Sequence, residues 1–66
     1  MAKQPALEAA RQTFADITGL LEDAALLASE AQAMTSLVAA RRSCDRLIVA
    51  LETCCGRLHD LRRRLV

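Results

Sequence analysis

Apolar residues recur along this chain in alternating steps of three and four. Read forward, Leu7, Ala10, Phe14, Ile17, Leu21, Ala24, Ala28 and Ala31 form one series. Read back from the end, Leu65, Leu61, Leu58, Cys54, Leu51, Leu47, Cys44, Ala40, Leu37 and Ala33 form a second. Steps averaging three and a half residues align side chains along one stripe of an α-helix, so the pattern predicts two amphipathic helices with core-facing seams. The two series do not share a phase. Continuing the first would place Thr35, Val38, Arg42 and Asp45 on the seam, so the face is reset between Ala31 and Leu37.

Three arrangements accommodate that reset. A tight antiparallel turn over residues 32–36, with Thr35 or Ser36 capping the second helix, divides the chain into helices of about 5–31 and 37–64. An earlier turn near Ala28 is suggested by Ser29-Glu30-Ala31-Gln32, which has the spacing of a capping box. A continuous rod of about 90 Å, at 1.5 Å per residue, is also compatible, because no Gly or Pro occurs between Leu20 and Cys55. There Leu20, Ala24, Leu27, Ala31, Met34 and Leu37 or Val38 carry the stripe through a stutter into the second phase. The hairpin is preferred: it buries both seams with one short connection, whereas a rod needs a partner along its whole length. The expected fold is all-α, an antiparallel hairpin occupying the chain as a single domain.

Local signals refine this picture. Residues 1–4 read as a loose start, and Pro5 suits the first helical position, where a missing amide hydrogen does no harm. Gly19 and Gly56 lie inside patterns that continue on both sides, so neither ends a helix. Close approach of another backbone would account for Gly19, whose cost in a helix interior is about 1 kcal/mol relative to Ala.

The apolar face is wider than the seam. Leu20 and Leu27 flank it on the first helix; Ile48 and Cys55 flank it on one side of the second, and Ala50 on the other. A strict seam suits a pair of helices, while the wider face suits a bundle core. A lone two-helix unit of 66 residues is also marginal in stability. Dimerisation into a four-helix bundle resolves both points. The expected core and dimer interface comprises Leu7, Phe14, Ile17, Leu20, Leu21, Leu27, Leu37, Cys44, Leu47, Ile48, Leu51, Cys54, Leu58 and Leu61. Leu26, Val38, Ala39 and Val49 fall off that face.

Charge separates the two halves. Residues 1–33 carry two basic and five acidic side chains, a net of −3, and residues 34–66 carry seven arginines and three acids, a net of +4. A hairpin therefore lays an acidic helix beside a basic one, which favours orientation more than stability. Arg41–Asp45 and Asp60–Arg64 have the spacing of intrahelical ion pairs.

Arg57, Arg62, Arg63 and Arg64 are the sharpest polar cluster. They complement the negative end of a helix dipole, and they also suit a patch contacting a partner or the backbone of RNA or DNA. Phe14 is the only aromatic residue, which disfavours the base-stacking modes of single-strand recognition.

Three cysteines form no disulfide framework, and adjacent Cys54 and Cys55 point apart on a helix. Cys44 and Cys54 sit on the seam, where thiols behave as small apolar groups; Cys55 is the thiol expected to be partly exposed. Cys55 and His59 have a spacing that can hold zinc, but two ligands do not make a site. Neither a Gly-rich phosphate loop nor an acid–base pair is present, so no cofactor and no enzymatic activity are expected. With no apolar leader and no stretch long enough to span a bilayer, a cytoplasmic protein is expected. Function reads as a self-associating helical module that binds another protein, with nucleic-acid binding through the arginine cluster as the alternative.

Overall fold

A computed structural model describes residues 5–65; the expected loose start over residues 1–4 lies outside them. Two helices, α1 (Pro5–Ala31) and α2 (Leu37–Arg64), pack as a single antiparallel layer. The Cα atoms span 56 × 17 × 9 Å, so the molecule is one helix thick. The continuous rod does not form: the phase reset is the turn itself. Nor does a helix begin at Ser29, because α1 runs through that residue to Ala31.

The turn is made without glycine, and its geometry explains why none is needed. The last turn of α1 tightens through bonds from the amides of Gln32, Ala33 and Met34 to the carbonyls of Ser29, Glu30 and Ala31, at 3.1–3.2 Å. These satisfy carbonyls that otherwise lack intrahelical partners. Ser36 is extended (φ −127°, ψ 139°), and its hydroxyl accepts from the Ala39 amide at 3.1 Å. That capping bond starts α2. No non-glycine residue among those described has positive φ, so this reversal needs no residue of left-handed preference.

Burial redraws the seam. The buried residues are Ala10, Ile17 and Ala24 on α1 and Ser43, Cys54 and Leu61 on α2. Thr13, Leu20, Leu27 and Ala31, with Ala39, Ala40, Leu47 and Ala50, are half-buried. On α1 the contact therefore combines the row through Ala10, Ile17, Ala24 and Ala31 with the row through Thr13, Leu20 and Leu27. Leu20, Leu27 and Ala50, read as flanking positions, lie at the helix contact. Conversely Leu7, Phe14, Leu21, Leu37, Leu51 and Leu58, read as seam, are exposed, as is the flanking Ile48. Cys54 is buried, but Cys44 is exposed and is not a core thiol in the hairpin; Cys55 is exposed.

The reason is packing width. Two helices in contact bury roughly two rows of side chains each, and this chain has three apolar rows. Small residues such as Ala10, Ala24, Ala40 and Ala50 at the contact allow close approach, and the bulkier row is left outside. Gly19 plays no part in that approach: a Cβ at Gly19 or Gly56 has no neighbour within 4 Å.

Candidate interaction face

The outer rows form one face. They contain Leu7, Phe14, Leu21 and Ala28 on α1, and Leu37, Cys44, Leu51, Leu58 and Leu65 on α2. Each is displaced by four residues from the contact row of its own helix. In an antiparallel pair, rows displaced in the same sense from the contact emerge on the same side of the layer. Accordingly Phe14 shares a groove with Leu58 and Leu65, floored by Leu61 and flanked by Cys55, His59 and Arg62. The groove encloses about 420 Å³ at the open end of the hairpin. Phe14 is 52% exposed and Leu37, at the turn end, 90%.

The total accessible surface is large for the chain's size. The accessible surface is 5252 Å², whereas a compact monomer of 7.2 kDa exposes about 4100 Å² by the usual size scaling. Contiguous apolar patches beyond a few hundred Å² mark interaction sites on monomeric proteins.

The opposite side of the layer is polar at the same end. Thr13, Asp16, Arg57, Asp60 and Arg64 line a shallow groove, and the Arg57 guanidinium lies 3.9 Å from the Asp16 carboxylate across the helices. Here the acidic helix meets the basic one. Along α2, Asp60 pairs with Arg63, one residue short of the Arg64 expected from spacing, and Arg41–Asp45 is not an ion pair among the described residues. The Arg62 guanidinium lies 3.2 Å from His59 Nδ1 along the same helix.

The four arginines are therefore not one patch. Arg57 and Arg64 join the polar groove, Arg63 turns to Asp60, and Arg62 borders the apolar groove on the other side. Cys55 and His59 do share the apolar groove, but among the described residues no group of three metal-ligating side chains assembles. No helix of the described residues is long and apolar enough to cross a membrane.

Comparison with protein-family models, curated proteins and solved structures finds no match. The assignment of this face therefore rests on its own geometry. Sequence reasoning missed Thr13 and Ser43 as contact positions because both are polar. The available signal was their seven-residue spacing from Leu20 and Ala50, which share their rows.

Proposed function

We propose that this chain is a small helical interaction module that self-associates through its outer apolar face. The homodimer is a four-helix bundle acting by binding another protein. The observation that carries the reading is the ordered exposure of Phe14, Leu21, Leu51, Leu58 and Leu65 on one side of a layer one helix thick. A second layer would supply the missing half of a bundle core. Scattered surface apolar residues are normal; a seven-residue repetition on both helices is not scatter.

A binding role is favoured by the apolar lining of the open-end groove, built mainly from Phe14, Leu58, Leu61 and Leu65. A cytoplasmic setting suits three unpaired thiols. Arginine-mediated binding of nucleic acid has weaker support, since Arg57 and Arg63 already face carboxylates and the cluster is divided between two sides.

Light scattering across a concentration series tests the reading. A mass of twice 7.2 kDa is expected, and a stably folded monomer at micromolar concentration would reject it. A gel shift with mixed RNA and DNA at low salt is expected to show no retardation.

A further inference from the structure

We propose that the second copy stacks face to face with its turn over the first copy's open end, rather than turn over turn. This rests on the self-association reading above and deepens it by naming how the partner sits. The footprint is adequate: helices about 40 Å long and a layer about 20 Å wide offer about 800 Å² per protomer, the size of a standard stable interface. A two-fold axis in the plane of the face has two simple settings. Along the helices, it brings the turns together and α1 over the partner's α2. Across the helices, it separates the turns and puts each helix over its own copy.

Two observations favour the second setting. The first is volume. Phe14 and Leu58 share a level of the layer; stepping seven residues along each helix pairs Leu7 with Leu65, Leu21 with Leu51, and Ala28 with Cys44. Bulk therefore concentrates towards the open end. Turn over turn would set four large side chains against one another at the Phe14 level and four small ones at the Ala28 level, leaving a void there. Reversing one layer sets bulky levels against slim ones, which evens the packing.

The second is the match of knob and groove. Leu37, 90% exposed at the turn end, projects from the first residue of α2. With the layer reversed, the partner's Leu37 comes to the open-end groove of Phe14, Leu58 and Leu65, and the relation is reciprocal, as a two-fold interface requires. Turn over turn leaves each Leu37 against the partner's turn.

The distance between the two turns decides the matter. A nitroxide is placed on Thr35→Cys in a chain carrying Cys44→Ala and Cys55→Ala, with buried Cys54 left in place. Electron–electron double resonance is expected to give a separation of about 45 Å, close to the length of the hairpin. A separation under about 20 Å would overturn the reversed stacking while leaving self-association intact. A monomeric mass by light scattering would overturn self-association itself. Gln32→Cys in the same background serves as a second label site if the first perturbs the turn, with the same two distances expected. Leu37→Ala is expected to weaken dimerisation at least tenfold, and an unchanged dissociation constant would remove Leu37 from the interface.

Discussion

Asp16 and Arg57 meet across the hairpin, carboxylate to guanidinium at 3.9 Å, with each side chain about half exposed. The pair marks where the acidic helix meets the basic one, on the polar side of the layer. Its energetic weight is small, because water screens a pair at this exposure. A double-mutant cycle with Asp16→Asn and Arg57→Gln is expected to give a coupling of about 0–1 kcal/mol, read by urea denaturation. A coupling of several kcal/mol would mean the pair is buried in the assembled state, contrary to its position away from the apolar face.

The cap at Ser36 is a separate test of the turn. Its hydroxyl is the acceptor for the Ala39 amide, and alanine supplies no replacement. Ser36→Ala is expected to lower stability by about 1 kcal/mol, measured by chemical denaturation, while Thr35→Ala is expected to have a much smaller effect. Equal losses at the two positions would show that the cap is shared.

Gly19 and Gly56 give a prediction of opposite sign. Both lie inside helices, and an added Cβ has open space at either position. Each Gly→Ala change is expected to raise stability by about 0.5–1 kcal/mol, because glycine loses more backbone entropy than alanine on entering a helix. A loss at Gly19 would reveal a contact made only in the assembly, since the hairpin itself provides none.

Charge on the outer face probes association directly. Leu51→Asp is expected to reduce the scattering mass to that of one chain, because an unpaired carboxylate would otherwise be buried between layers. Leu26→Asp lies off that face, where Leu26 is exposed, and is expected to leave the mass unchanged. Circular dichroism on both variants separates loss of association from loss of the helices. If both variants dimerise normally, the outer row is not the interface.

The helices were legible in the chain because their signals are local. The seven-residue rhythm, Pro5 at the start of α1, the phase reset after Ala31 and the capping hydroxyl at Ser36 each act within a few residues of their position. The reset by itself fits either a turn or a stutter in one long helix, since no glycine marks it; the reversal uses ordinary backbone conformations. The candidate face was legible only as membership of a stripe. Phe14 and Ile17 belong to the same stripe and look equivalent in sequence, yet one is 52% exposed and the other 6%.

Sequence by itself determined the two amphipathic stretches, their division into an acidic and a basic segment, and a surplus of apolar rows over what two helices can cover. Tertiary structure decided which rows go inside. Helical periodicity places three neighbouring rows on one side of each helix but does not rank them. The ranking comes from how near two backbones can approach, which favours the rows rich in small residues, Thr13 and Ser43 included. The bulkier row of Leu7, Phe14, Leu21, Leu51 and Leu58 is then turned outward, because a contact between two round helices has no room for a third.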